Sequence, residues 1–422
     1  MADHGPIQGM DLLRAQGAGT GLRVFGTNTD HGHRFNRRVV IDAIRVHGPV
    51  SRADIARRTG LSPQTISNIV DLLQDSNLIR EEPRPATGRG QPPIDLLINP
   101  NGGHTVGVSF DQRQLVAVIT NLAGEIKGQT SMALEASPPA VVLPLIEATV
   151  HSLIGKARIP PEEVWGVGVV MPAVFDNGAL VSLGPIVVPE WENFALLKRL
   201  EERLSIPVHV DNDATAAAVG EKLYGVGREL SDFFYIFIGA GIGAGVISEG
   251  RPFRGGHGNA GEIGHLVTVP DGRPCPCGNR GCLERYLGLA SAQSALTGIP
   301  ERAEPVDEQR ILQAFREDDP AIGQWLDEAA AQLRLATVVV ENLFDPQATV
   351  VGGTIPEPMI DALLSRATPL PRSLTSRRGE QSPRLIKAQS GLETPALGAA
   401  ALAAFDNITP DVSLLFKQGF IP

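Results

Sequence analysis

His265, Cys275, Cys277 and Cys282 are the residues whose types and spacing speak most directly of chemistry. All three cysteines of the chain fall within eight positions, and an odd number so close together suits no disulfide framework. Three thiols and an imidazole are instead the soft and borderline donors that a tetrahedral structural Zn²⁺ prefers. A Cys-x-Cys pair can grip one ion from adjacent turns, Gly278 and Gly281 let the backbone wrap it, and the fourth donor comes from an upstream segment. Four protein ligands leave no open position, so a catalytic zinc is not expected.

Asn212 and Asp213 form a second group. They follow the apolar stretch Val208 to Val210 and open a helical stretch from Ala214 to Leu223, which puts a carboxylate at the end of a strand, where α/β folds gather ligands. An acid there can act as a general base or as the N-cap of the helix, and residue type alone leaves both open. Gly239, Gly241, Gly243 and Gly245 lie between two strand-like stretches, a context that does not meet a dinucleotide-binding fingerprint. The amides of such a hairpin can approach a phosphate, or its glycines can simply permit the turn.

These groups must be held by a body of some size. At 422 residues the chain is long for one core and predicts two or three packed units. With 42% hydrophobic and 20% charged residues it reads as turn-rich and globular, not disordered. No uninterrupted apolar run of about 18 residues appears, and the first 25 residues lack a basic start with an apolar core, so a cytoplasmic protein without membrane contact is expected. From residue 103 onward, strands at Thr105 to Phe110, Leu115 to Thr120, Val164 to Val170, Phe233 to Ile238, Gly245 to Ser248 and Thr349 to Val351 alternate with helices. The helical spacing covers Pro139 to Lys156, Ala195 to Leu204 and Asp319 to Asn342, which together predict an α/β body.

The N-terminal part differs in sign. The net charge is −10, yet residues 34 to 90 hold 10 Arg against 6 acids, a basic bias suited to phosphate contact. Residues 1 to 33 read as a flexible arm. Val39, Val40, Ala43, Ile44 and Val46 form a helical stripe from Asn36 to His47, which Gly48-Pro49 ends. Ser51 precedes a second helix, and Ser62 before Pro63 caps a third, with Ile66, Ile69, Val70, Leu72 and Leu73 expected on its inner side. This is helix-turn-helix spacing, with Ser62, Gln64, Thr65, Ser67 and Asn68 placed to reach base edges. Strands at Leu78 to Arg80 and Pro93 to Ile98 would flank a wing whose Arg84 and Arg89 contact phosphate or the minor groove. A generic interaction bundle is the alternative to a winged DNA-binding unit over residues 34 to 98.

Residues 212–221 (NDATAAAVGE), 261–265 (GEIGH) and 275–284 (CPCGNRGCLE) resemble the ROK family of bacterial repressors and sugar kinases, over about residues 35 to 405. The resemblance implies an actin-like (ribonuclease H-like) two-lobed α/β ATPase fold behind an all-α winged helix-turn-helix. Its first lobe would be residues 103–211 with 391–422, and its second 212–390. It further implies that Asn212, Asp213, Glu262, His265 and Glu284 bind sugar hydroxyls, with Asp213 the equivalent of a kinase's base, and that His265, Cys275, Cys277 and Cys282 hold zinc. The Gly-rich turn 350–353 would lie near an adenosine site. Kinases of the family carry Asp-x-Gly-Gly-Thr after the first strand, where this chain has Ser109 to Arg113 (SFDQR). Asp111, Gln112 and Arg113 replace residues that admit nucleotide phosphates, so ATP binding and catalysis are not expected. The implied partners are operator DNA, a monosaccharide or sugar-phosphate effector, and a second copy in a homodimer or homotetramer. An active sugar kinase with a DNA-binding head, and a DNA-binding protein with a vestigial body, are the other readings.

Overall fold

The computed structural model describes residues 29–83, 94–111, 114–134, 138–176, 179–183, 189–191, 194–301, 305–374, 383–389 and 394–411. The N-terminal unit contains α1 (Thr29–His47), β1 (Val50–Ser51), α2 (Arg52–Thr59), α3 (Pro63–Asp75), β2 (Ile79–Pro83) and β3 (Ile94–Ile98). Ile44, Ile55, Ile66, Val70, Leu73 and Leu96 close its core, each burial stabilising by roughly 1.5–3 kcal/mol. The unit is not all-helical, because β1, β3 and β2 form an antiparallel sheet in that order. The first helix begins at Thr29, seven residues before the expected Asn36 and inside the segment read as an arm. Residues 29–34 lack apolar periodicity, but extending an existing helix costs little once it is nucleated. Leu72 is 57% exposed, not inward, because Ile66, Ile69, Val70 and Leu73 already fill the buried face.

The first lobe holds β4 (His104–Phe110), β5 (Gln114–Asn121), β6 (Ile126–Ala133), α4 (Pro139–Ala157), β7 (Val164–Met171), the ribbon β8 (Ala173–Asp176) and β9 (Ala179–Leu183), α5 (Leu196–Leu204) and β10 (Val208–Asn212). Its main sheet runs β10-β7-β4-β5-β6, with β10, β7 and β4 parallel and the other two pairings antiparallel. Among the described residues α4 is the one helix long and apolar enough to cross a membrane. Here its Val142, Ile146, Val150 and Leu153 are buried in the first-lobe core with Leu115, Ala117 and Ile119 of β5.

The second lobe holds α6 (Asp213–Tyr224), β11 (Phe233–Ile238), β12 (Ile242–Ser248), β13 (Arg251–Pro252), α7 (Glu284–Leu287), α8 (Leu289–Thr297), α9 (Glu308–Arg316), α10 (Pro320–Phe344), β14 (Ala348–Gly353), α11 (Glu357–Ala367) and β15 (Leu385–Lys387). Its sheet runs β13-β12-β11-β14-β15. Gly243 and Gly245 belong to β12, so the hairpin turn is only Gly239 to Gly241. The chain then returns as α12 (Thr394–Ile408), which lies on β4 and β7 of the first sheet and against α6 of the second lobe. Its Ala-rich sequence fits that place, since a Cβ on Gly107 or Gly168 would drive into the carbonyl oxygens of Ala396 or Ala399. Helix backbone can sit this close to a sheet only over glycine.

Candidate functional site

In the N-terminal unit the sequence builds its own caps. The Ser51 hydroxyl accepts from the Asp54 amide at 3.2 Å and donates to its carboxylate at 2.7 Å, and Gly60 closes α2 in the left-handed conformation. Ser62 Oγ accepts from the Thr65 amide at 3.1 Å and contacts Thr65 Oγ1 at 2.8 Å. Ser62 and Thr65 are therefore occupied in capping α3. Gln64 and Asn68 are exposed and linked, Nε2 to Oδ1, at 2.9 Å, while Ser67 is half-buried. Arg52 braces α2 to β2 through Glu81 at 2.9 Å. Arg84 and Arg89 lie outside the described residues.

The second group assembles at the carboxyl edge of the first sheet. Asn212 Oδ1 caps α6 by accepting from the Thr215 amide at 2.7 Å, which leaves its NH₂ group for other work. The capping role open to Asp213 in the sequence falls to Asn212 instead. Asp213 Oδ1 accepts from the Ala214 amide at 2.8 Å, and burial, with the nearby charges of Glu262 and Asp111, pushes its carboxyl up to about 6. Glu262 keeps surface open to water yet is ringed by protein. Desolvation raises its carboxyl and Glu284 adds to the rise, while His265 opposes it. Glu284 is buried at the start of α7, where its Oε1 accepts from Cys275 Sγ at 3.2 Å. The carbonyls of Gly239 and Ala240 accept from the Leu289 and Ala290 amides at 2.8 and 3.1 Å, so the glycine hairpin braces the start of α8.

His265, Cys275, Cys277 and Cys282 present one donor atom each, all within 4.8 Å of one another. Cys275 Sγ lies 3.6 Å from His265 Nδ1, and Cys277 Sγ lies 3.6 Å from Cys282 Sγ. Bonds of about 2.3 Å to a tetrahedral ion would separate sulfur donors by about 3.8 Å, so the group can hold a metal ion of that size. Burial and the neighbouring Glu284 push the Cys275 thiol up. For Cys277 burial is outweighed by hydrogen bonds from the Asn279 amide and the other thiols, which bring it down to about 7 and favour a thiolate ligand. With Nδ1 turned to the thiols, Nε2 of His265 is left for a second partner.

One contact, that of Arg45, carries no sign of its place in the sequence. Asp111, just beyond the end of β4, is among the charges felt at Asp213, and Arg45 of α1 reaches across to α6, donating to the carbonyls of Leu223 at 2.9 Å and Lys222 at 3.3 Å. In return Arg228 donates to the Arg45 carbonyl at 2.7 Å.

A profile of the ROK family matches residues 105–405, and one of the MarR family matches residues 38–90. The xylose repressor of Bacillus subtilis is 27% identical over 369 residues, which span 87% of this chain and 94% of the relative. A solved structure described as a ROK family transcriptional regulator, homolog of the E. coli MLC protein, shares 25% identity with a TM-score of 0.69 and covers 90% of this chain and 98% of its own. The ROK family glucokinase from Streptomyces griseus, solved with glucose and AMPPNP, shares 26% identity with a TM-score of 0.58 over 71% of this chain and 99% of its own. The body of this chain, with its two five-stranded sheets, has the actin-like fold of these structures. With its motifs, its sheet order and the match over most of its length in agreement, the chain belongs to the ROK family, and carries a MarR-type winged helix in front of the two-lobed body.

Proposed function

We propose that this chain is a sugar-responsive transcriptional repressor, in which the winged helix binds operator DNA and Asn212, Asp213, Glu262, His265 and Glu284 bind a monosaccharide or sugar phosphate in the cleft. One observation carries the reading: α6 has the sugar group at its N-terminus and the DNA-binding unit, through Arg45, at its C-terminus. Carboxylates and a capped amide suit a polyol, because each accepts from or bridges adjacent hydroxyls. The likeness to a xylose repressor and to a regulator related to MLC supports the same assignment. A structural Zn²⁺ at His265, Cys275, Cys277 and Cys282 would supply the folding energy that holds His265 and Glu284 in place. A homodimer or homotetramer would carry two heads, as half-site recognition by a helix-turn-helix requires.

Titrating operator DNA with protein, with and without saturating sugar, tests the proposal; operator affinity that no sugar alters would remove it. Gln64→Ala is expected to weaken operator binding by about tenfold, since one base contact is worth about 1–3 kcal/mol, and to leave sugar affinity unchanged. Fluorescence anisotropy with labelled operator and calorimetry with sugar separate the two effects. Asp213 gives a pH signature. Its raised carboxyl means that between about pH 4 and 6 the folded chain holds a proton the unfolded chain has lost, so stability falls as pH rises through that window. A sugar that donates to the ionised carboxylate should gain affinity over the same rise, binding about tenfold more weakly at pH 5 than at pH 7. A flat calorimetric profile would take Asp213 out of the site.

An active sugar kinase is the second reading, favoured by the likeness to a glucokinase solved with a nucleotide analogue. Against it stands Asp111, a carboxylate at the strand end where glycine would let phosphates approach. Sugar-dependent release of ADP from ATP is expected to stay at background, and turnover of ordinary kinase size would establish the enzyme instead.

A further inference from the structure

We infer that Arg254 and Asp211 are positioning residues for the sugar: their ion pair laces together the edge strands of the two lobes and holds the loop that carries Glu262 in register with the strand end that bears Asn212 and Asp213. The inference rests on the sugar-sensor reading above and adds to its site two residues that act through others.

Strand β10 is the edge of the first sheet and β13 the edge of the second. His209 and Asp211 of β10 lie two positions apart and so share one face of that strand. Asp211 is buried, with Oδ1 accepting from the Asn212 amide at 2.9 Å and Oδ2 lying 2.6 Å from Nη1 of Arg254, just past the end of β13. Oδ2 has no aligned hydrogen bond, so charge is what holds this contact. Arg251 of β13 donates to the Pro410 carbonyl at 2.7 Å and pairs with Asp411 at 3.2 Å and Asp406 at 3.6 Å, and Asp406 in turn lies 3.3 Å from His209 Nδ1. The two edge strands are thus joined at two points, directly through Arg254 and by way of α12 through Arg251.

The direct pair bears on the sugar group from both sides. Asp211 immediately precedes Asn212 and Asp213. Arg254 opens a short loop whose neck is closed by the Ala260 amide donating to the Arg254 carbonyl at 3.0 Å, and Glu262 lies two residues past that neck. Between them Gly261, at φ 106°, packs on β12 where a Cβ would drive into the Ala244 carbonyl oxygen, so only glycine fits. Glu262 is therefore tied to the second lobe through Gly261 and to the first through Arg254. Removing the cation leaves a buried carboxylate uncompensated, which gives the loop a strong preference for the paired position. A loop that holds its binding position only part of the time lowers apparent affinity by that fraction.

The test is calorimetry and thermal melting on the zinc-replete full chain, with D-xylose, D-glucose, D-mannose and N-acetyl-D-glucosamine and the 6-phosphate of each hexose as probes. Asp211→Asn and Arg254→Gln should each weaken the probe that wild type binds by about tenfold, as for a loop in position about one-tenth of the time. The double variant should bind no more weakly than either single one, because two residues that act only on each other are not additive. Arg254→Lys should stay within about threefold of wild type, since one nitrogen facing one oxygen is a contact an ammonium group can make. A merely structural loss would instead follow the melting temperature across the series and would not be rescued by lysine. If Asp211→Asn fails to fold, the two Arg254 variants carry the test, because that side chain is half-exposed. Wild-type affinity in Arg254→Gln, additive losses in the double variant, or a lysine variant as weak as the glutamine one overturns the inference while leaving the sensor reading intact. No binding of any probe by wild type overturns both.

Discussion

Purified Cys282→Ser protein is expected to lose its zinc almost completely, from about one ion per chain to about none, and with it the sugar response. Cys282 is fully buried, it is bridged by backbone to Val267, and Leu283 beside it is also fully buried. Serine there offers a poor ligand, and no water can enter to replace the thiolate. Structural zinc supplies on the order of 10–16 kcal/mol in small zinc modules, and the segment from Val267 to Arg280 buries few apolar side chains that could substitute for it. Glu284 begins the helix that follows directly, so a disordered loop would displace a carboxylate of the sugar group. Cys277→Ser should be milder, because Cys277 is exposed and water can take its place as fourth ligand. Metal analysis by mass spectrometry, limited proteolysis of residues 266–283 and sugar calorimetry give three readouts. Equal zinc in wild type and Cys282→Ser would refute the site, and zinc loss with full sugar binding would remove its proposed support of Glu284.

Arg45→Ala is expected to separate the two functions: operator and sugar should each still bind, but saturating sugar should change operator affinity by less than about twofold. A working allosteric coupling is typically worth about 1–3 kcal/mol, or 5–150-fold, and that is the effect to be lost. Arg45 is 7% exposed and spends its guanidinium on the Leu223 and Lys222 carbonyls and on Asp42, with Nη2 to Oδ1 at 2.8 Å. The carbonyls at a helix C-terminus favour a cation. α6 is 12 residues long, about 18 Å, and a helix of that length moves as one body. A shift at Asn212 and Asp213 on sugar binding therefore reaches Arg45 with little loss. Arg45→Lys should recover only part of the response, since an ammonium group cannot satisfy two carbonyls and a carboxylate in the geometry of a guanidinium. A full sugar response in Arg45→Ala would show that the signal runs elsewhere, with the α1–α12 contact the next place to look.

Much of this protein is determined locally. The three cysteines and His265 could be grouped because the chain has no other cysteine, and the short Cys-x-Cys spacing brings two donors together without any fold. The caps at Ser51 and Ser62 are i to i+3 hydrogen bonds, written in adjacent residues, so α2 and α3 form where the sequence places them. Strand β11, FFYIFI, is buried along its whole length and needs no partner to be recognised. The wing arginines, Arg84 and Arg89, lie outside the described residues. Other features belong to the tertiary structure alone. Asp111 and Asp213 share one sheet edge only because β4, β7 and β10 lie side by side, and Arg45 meets Leu223 across 178 positions. The Ala-rich α12 carries little amphipathic signal, and its place on the first sheet follows from Gly107 and Gly168 thinning that sheet far away in sequence. Short-range chemistry is legible because its partners share a turn, whereas a coupling between an effector site and a DNA-binding unit must pair residues distant in the chain, and only packing brings those together.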